Sequence, residues 1–280
     1  MLHCTPVSRV SVIIPAFNEE LAIGAVLTAL RALPIESEII VIDDGSLDQT
    51  GAIAREHGAI VLRHPVTAGY GKSVKDGIFA ATTDIIILSD ADGTYPIDMI
   101  PSLIARFAEG FDMVVGARSG LAYRGSFLKM PARYVFKFLA EFSTGTVIPD
   151  INSGLRIFRR SDVLPHLPDL CNGFSFTTTI TLLYLFTGRI IGYMPIAYHR
   201  RIGRSKVRMV RDSLRTLQYL VEAIVRFNPV KLFFLLACMT LFIGSLGAVW
   251  VGTVAVVGAV LCAFLIFALG LVAETCRRRV

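Results

Sequence analysis

Two stretches of this 280-residue chain are defined by what they lack. From Leu232 to Ala273, 42 positions, no residue carries a charge, and from Cys171 to Ser205 there is no Asp or Glu. Cysteine is sparse: Cys4, Cys171, Cys238, Cys262 and Cys276 are odd in number and show no CxxC spacing. That pattern indicates neither a zinc site nor a disulfide framework, and free thiols in a reducing compartment are expected. Met1 to Arg9 lacks a charged start followed by an apolar core, so no signal peptide is read there. There is no internal repeat. The segment Gly69-Tyr70-Gly71-Lys72 fails the spacing of a phosphate-binding Walker loop, which excludes that NTPase chemistry. The histidines carry little: His3 and His57 look incidental, His64 sits in a loop before Pro65, and His166 lies between Pro165 and Leu167. Only His199, beside Arg200, is placed to touch a phosphate.

What is present is apolar. Hydrophobic residues make up 54% of the chain and the mean hydropathy is +0.61, too high for an ordinary soluble domain. The excess is local. One membrane crossing needs about 20 residues, so the uncharged run fits two helices joined by a tight turn near Gly247 to Gly252, with Trp250 at the far interface. Lys231 precedes the run, and Glu274 with Arg277-Arg278-Arg279 follows it. Basic residues at both ends place both termini and the rest of the chain on the cytoplasmic side.

Before that run, short apolar strands alternate with helical periodicity. Strands are expected at Val10 to Pro15, Glu38 to Ile42, Ala59 to Leu62, Ile85 to Leu88 and Met113 to Val115. Helices are expected at Leu21 to Leu33, Asp48 to His57, Gly71 to Ala81 and Pro96 to Glu109. Such alternation predicts an α/β domain with a mostly parallel sheet covered on both faces. Two further stretches, Phe127 to Phe142 and Val207 to Phe227, mix Arg and Lys with aromatic and aliphatic residues. They read as amphipathic helices that lie in a membrane interface, although a helix packed on the sheet with a solvated charged face has the same pattern. Thr179 to Phe186 is apolar but short, and is read as a core helix.

The chemistry concentrates after the fourth strand, where Ile85-Ile86-Ile87-Leu88 gives way to Ser89-Asp90-Ala91-Asp92-Gly93-Thr94. Ligands of open parallel sheets sit beyond the carboxyl ends of the strands. An Asp-x-Asp there can hold a hard divalent cation through oxygen and leave coordination for substrate phosphates, although Asp and Gly are also ordinary turn residues.

Four segments, Pro15-Ala16-Phe17-Asn18-Glu19, Asp43-Asp44-Gly45-Ser46, Asp90-Ala91-Asp92 and Arg200-x-x-Gly203-x-Ser205-Lys206, together resemble the family-2 glycosyltransferases with a GT-A, Rossmann-like fold. More narrowly they are similar to the dolichyl-phosphate and undecaprenyl-phosphate sugar synthases, over roughly Val10 to Lys206. The resemblance implies a glycosyltransferase domain over residues 1–206, with the amphipathic stretch at about 127–142 on its acceptor side. An amphipathic juxtamembrane helix at 207–229, two transmembrane helices at 230–274 and a basic tail at 275–280 complete the expected layout. It also implies that Pro15, Phe17 and Glu19 border the nucleotide of the sugar donor, that Asp44 with Asp43 hydrogen-bonds base or ribose, and that Ala91 lines the same site. Asp90 and Asp92 would hold Mg²⁺ or Mn²⁺ against the diphosphate. Thr94 occupies the position where the mannose synthases commonly place a third ligand, Gln. Asp150-x-x-Ser153-Gly154-x-Arg156 matches a family pattern near the acceptor; a turn with a structural Arg salt bridge would read the same way.

The missing carboxylates argue for the acceptor. A sugar hydroxyl needs a base within reach to remove its proton, whereas a lipid phosphate is already largely ionised near neutral pH and needs only cations. Arg118, Arg133 and Arg200, with Ser205 and Lys206, are expected to bind that phosphate, and Asp92, Arg118 and Arg200 to carry catalysis. The expected reaction is an inverting transfer from a GDP- or UDP-sugar to polyprenyl phosphate at the membrane, with no role for nucleic acid; homo-oligomerisation is left open. Transfer to a lipid or glycan hydroxyl on the same fold is the alternative, and a non-catalytic nucleotide-sugar-binding scaffold a third.

Overall fold

The computed structural model describes residues 9–119, 130–201 and 209–277. They divide into two compact units, Met1–Arg133 with Ile148–Thr216, and Tyr134–Val147 with Leu217–Val280.

The first unit is built on a sheet of seven strands. β1 (Val10–Ala16), β2 (Ser37–Asp43), β3 (Ile60–Arg63), β4 (Ile85–Leu88), β5 (Met113–Ser119), β6 (Arg156–Arg159) and β7 (Ile191–Ala197) lie in the order β3-β2-β1-β4-β6-β5-β7. All neighbouring pairs are parallel except those of β6, which runs antiparallel between β4 and β5. The helices are α1 (Ile23–Arg31), α2 (Thr50–Glu56), α3 (Tyr70–Ala80), α4 (Ile100–Phe107), the single turn α6 (Arg160–Val163) and α7 (Phe176–Phe186).

Strand periodicity sorts the helices onto two faces. Val10, Val12, Ile14 and Ala16 of β1 join Ile23, Val26, Leu27 and Leu30 of α1 and Ile100, Leu103 and Phe107 of α4 in one buried cluster. Ile13, one residue out of phase, points the other way, where a side chain at Gly77 of α3 would collide with Ile13 and Ile42. Every residue of β1 is buried, which is why apolar and polar residues do not alternate along it; its one polar member, Ser11, donates to Glu38.

The second unit takes in the end of α5 (Met130–Thr144), the end of α8 (Met209–Phe227), and two long apolar helices, α9 (Pro229–Val251) and α10 (Thr253–Arg277), joined at Gly252. Residues 134–147, expected with the sheet domain, thus group with the C-terminal helices. Spans Pro229–Gly247 and Val256–Cys276 are each long and apolar enough to cross a bilayer, with mean hydropathies of 2.0 and 2.8 and little of either buried. They form a candidate transmembrane hairpin, packed through an edge-on contact of Phe234 with Phe267 and the close approach of Gly270 to Phe233. Lys231 Nζ donates to the carbonyls of Phe142 and Ser143, satisfying carbonyls left open at the end of α5.

Candidate active site

From β1 the connections run outward through β2 to β3, and the chain then returns to place β4 on the other side of β1. This reversal is the switch point beside which open α/β sheets form their ligand crevice, here at the carboxyl ends of β1 and β4. The loops leaving β1 and β2 are fastened together there. Asn18 N–H donates to Ser46 Oγ (2.9 Å), Leu47 N–H to Asn18 Oδ1 (2.7 Å) and Glu19 N–H to Thr50 Oγ1 (2.8 Å). Asn18 holds a left-handed backbone (φ 51°), which Asn tolerates better than most residues.

Beyond β4, Asp90 Oδ1 accepts from the Tyr70 hydroxyl (3.0 Å). Burial, and then the neighbouring charge of Asp92, push the Asp90 carboxyl up to about 6, against the Tyr70 hydrogen bond and the fields of Arg118 and Arg201. Asp92 is buried; its Oδ1 accepts from Thr94 N–H (3.1 Å) and Thr94 Oγ1 (2.6 Å), and its Oδ2 lies 3.3 Å from Arg201 Nη1. The other terminal nitrogen of Arg201 pairs with Glu19 Oε1. Gly154 closes the site from behind, since a Cβ there would lie 2.7 Å from Asp90 Oδ2. The amide of Gly154 donates to the Tyr95 hydroxyl (2.6 Å).

Hard oxygen donors whose charges oppose one another suit a small divalent cation, and Asp90 and Asp92 are the side chains that would hold it. Among the described residues no group of three or more His, Cys, Asp or Glu forms a complete cage, so substrate oxygens would fill the remaining positions. Thr94, at the position of the family's third ligand, is wholly buried, and its hydroxyl donates to Asp92 Oδ1.

The residues expected around the nucleotide are differently placed. Pro15 and Ala91 are buried in the framework, Phe17 is half-buried, and Glu19 faces Arg201. Asp43 turns inward: Oδ1 accepts from Ser46 N–H (2.9 Å), Oδ2 lies 3.6 Å from Arg63, and only 1% of the side chain is exposed. Asp44 accepts from four groups of its own chain, namely His64 Nδ1 (2.7 Å), Thr67 Oγ1 (2.9 Å), Ala68 N–H (2.7 Å) and Gly69 N–H (2.9 Å). Burial raises its proton affinity, but these four bonds outweigh it and hold the carboxyl below its ordinary range.

On the expected acceptor side, Arg118 is gripped by Asp150 through Nε (2.7 Å) and Nη2 (2.9 Å), and its own amide donates to the same carboxylate (3.1 Å). Arg156 is fully buried and donates to the carbonyls of Ser153, Thr177 and Ile151 and to Thr181 Oγ1. The Asp150-x-x-Ser153-Gly154-x-Arg156 segment is therefore a scaffold: Arg156 shapes the turn, Gly154 backs Asp90 and Asp150 aims Arg118. Arg200 is exposed, and it is the adjacent Arg201 whose guanidinium reaches the acidic pair. Ser205 and Lys206 lie outside the described residues, as does the side chain of Arg133. Arg201, Tyr70 and His64 are not among the site residues expected from the sequence. The signal for Arg201 was the doubled arginine; Tyr70 and His64 left none, because their partners are 20 and 12 or more positions away.

The family model for glycosyl transferase family 2 matches residues 11–164, which carry both acidic motifs. The chain belongs to glycosyl transferase family 2. Among the relatives of this glycosyltransferase, a dolichyl-phosphate hexose transferase of Haloferax volcanii is 30% identical over 198 residues, 70% of this chain and 86% of the relative. An undecaprenyl-phosphate 4-deoxy-4-formamido-L-arabinose transferase of Salmonella choleraesuis is 28% identical over 247 residues, 84% of this chain and 73% of the relative. Glucosyl-3-phosphoglycerate synthase of Mycobacterium tuberculosis, solved with Mn²⁺, UDP-glucose and phosphoglyceric acid, superposes with a TM-score of 0.65. It covers 78% of this chain and 80% of its own at 21% identity, a likeness of fold.

Proposed function

We propose that this glycosyltransferase moves a sugar from a nucleotide-sugar to a polyprenyl phosphate, at the cytoplasmic face of a membrane to which its apolar hairpin anchors it. The observation that carries the reading is the pairing of a carboxylate-bearing crevice with a segment, Cys171 to Ser205, that offers no carboxylate to serve as a base. A phosphate acceptor needs none. Relatives that span most of their own length are named for transfers involving dolichyl and undecaprenyl phosphate, and the two apolar helices suit an enzyme that takes its acceptor from a bilayer.

Asp90 and Asp92 would hold Mg²⁺ or Mn²⁺, which when bound neutralises charge on the departing nucleoside diphosphate. The chain's own residues do the rest. Thr94 and Tyr70 fix the two carboxylates, and Glu19 holds Arg201 beside them, where its guanidinium can meet the charge of the diphosphate. Asp150 orients Arg118, on a rigid strand end, toward the acceptor phosphate. A single in-line displacement by the phosphate oxygen inverts the anomeric centre.

The test is to incubate membranes containing the protein with labelled GDP- and UDP-sugars, with and without a short-chain polyprenyl phosphate. Label is expected in an organic-soluble, acid-labile product only when the phosphate is supplied. Equal transfer to the corresponding polyprenol, or to an added glycan, would overturn the reading in favour of a hydroxyl acceptor.

A further inference from the structure

His64 follows β3 and bridges two carboxylates. Its Nδ1 lies 2.7 Å from Asp44 Oδ1 and its Nε2 lies 3.0 Å from Asp76 Oδ2. The ring thus joins the end of β2 to α3 through both of its nitrogens. The charged groups around it are Asp44 after β2, Asp76 on α3, and Lys72 one turn earlier, which pairs with Asp76. Arg63 beside it on β3 is turned to Asp43.

The position matters because of what His64 holds. Its own amide donates to the Asp43 carbonyl (2.9 Å), starting the loop that runs over Asp44 to Gly69. Gly69 takes a φ of 106°, open to glycine, and delivers Tyr70 to the start of α3, where its hydroxyl reaches Asp90. One imidazole ring therefore braces the carboxylate expected to face the nucleoside, the loop laid on it, and, through α3, the phenol on the cation-side carboxylate. With Oδ1 shared by His64 and Ala68 and Oδ2 by Thr67 and Gly69, all four acceptor directions of Asp44 are filled. Thr67 and Ala68 are exposed, whereas the side chain of His64 is only 16% exposed. An incoming nucleoside can displace the exposed donors while His64 keeps the carboxylate in place.

We infer that His64 is a positioning residue of the donor site: its ring, clamped between Asp44 and Asp76, holds Asp44 for the nucleoside. This rests on the donor reading of the crevice given above. The measurement is titration of the full chain, in detergent and saturating Mn²⁺, with UDP and with GDP, beside steady-state donor and acceptor KM values. His64→Gln lacks the two opposed ring nitrogens and does not span both carboxylates. It is expected to weaken nucleotide binding and raise donor KM about tenfold or more, with acceptor KM unchanged. His64→Arg, whose guanidinium carries donors on opposite sides, is expected to recover most of the affinity.

Wild-type affinity in His64→Gln would overturn the inference, as would equal losses in the Gln and Arg variants. If His64→Gln does not fold, Asp76→Ala reads the clamp from its outer end: donor KM should rise severalfold with acceptor KM unchanged, and an unmoved donor KM refutes the clamp. Should no polyprenyl-phosphate product form at all, the nucleotide titrations still decide the role of His64, so the two failures are distinguishable.

Discussion

Replacing Asp90 with Asn should make the metal-free protein more stable while disabling it. The wild-type carboxyl titrates near 6 in the folded chain against 3.8 when unperturbed, because burial and the charge of Asp92 oppose its ionisation. The sign follows from linkage. A group whose folded pKa is raised favours the native state while protonated, and that contribution disappears as pH climbs from about 4 through 6. At neutral pH the difference of 6 minus 3.8 amounts to about 3 kcal/mol of lost stability, an upper figure because the site is partly open to water. Asn carries no charge in either state and can still accept from Tyr70 through Oδ1, so it removes most of that cost. For a unit of this size, 1 kcal/mol moves Tm by about 2–4 °C, which caps the expected gain at about 6–12 °C. Scanning calorimetry of the detergent-solubilised chain in EDTA at pH 7.5 and pH 5 would measure it, and the gap should shrink to about half at pH 5. Adding Mn²⁺ should stabilise the wild type and leave Asp90→Asn unmoved. A variant in EDTA at pH 7.5 no more stable than the wild type, or a gap indifferent to pH, would refute the view of these carboxylates as a strained pair awaiting a cation.

Three more outcomes follow from the geometry. Gly154→Ala drives a methyl against Asp90 Oδ2, and displacing that carboxylate should lower kcat/KM about a hundredfold in the transfer assay. Thr94→Val keeps the shape but removes the hydroxyl from Asp92 Oδ1; kcat should fall about tenfold, and Thr94→Ser should restore it. Arg201→Gln takes away the guanidinium shared by Glu19 and Asp92. Mn²⁺ should then bind the nucleotide-free protein more tightly, read by calorimetry, while kcat/KM drops about tenfold or more because the diphosphate has lost its counter-charge.

Where local pattern dominates, sequence and structure agree. Ile85 to Leu88 had to be a buried strand, because four apolar residues ending in two acids fit little else, and β4 spans those residues. The uncharged 42-residue run had to fold as long apolar helices, and α9 and α10 meet at Gly252, within the stretch expected to turn. Two strands were not legible. β6 is four residues long with arginine at each end, and Arg156 reads as a surface residue until two distant partners, the Thr177 carbonyl and the Thr181 hydroxyl, are in place. β7 contains Gly192 and Pro195, which weaken any strand signal and are tolerated because it is the last strand of the sheet.

For the site the division is sharper. The family, the acidic pair and the absence of a carboxylate between Cys171 and Ser205 were fixed by residue type and spacing along the chain. Which arginine enters the crevice, that Thr94 serves Asp92, that Asp43 turns inward, and that His64 clamps Asp44 were decided only by tertiary structure. Each depends on a hydrogen bond whose direction is set by a loop or a strand end, and a spacing rule carries no direction. Sequence names the groups that can share a proton or a charge; only packing selects the partners that do.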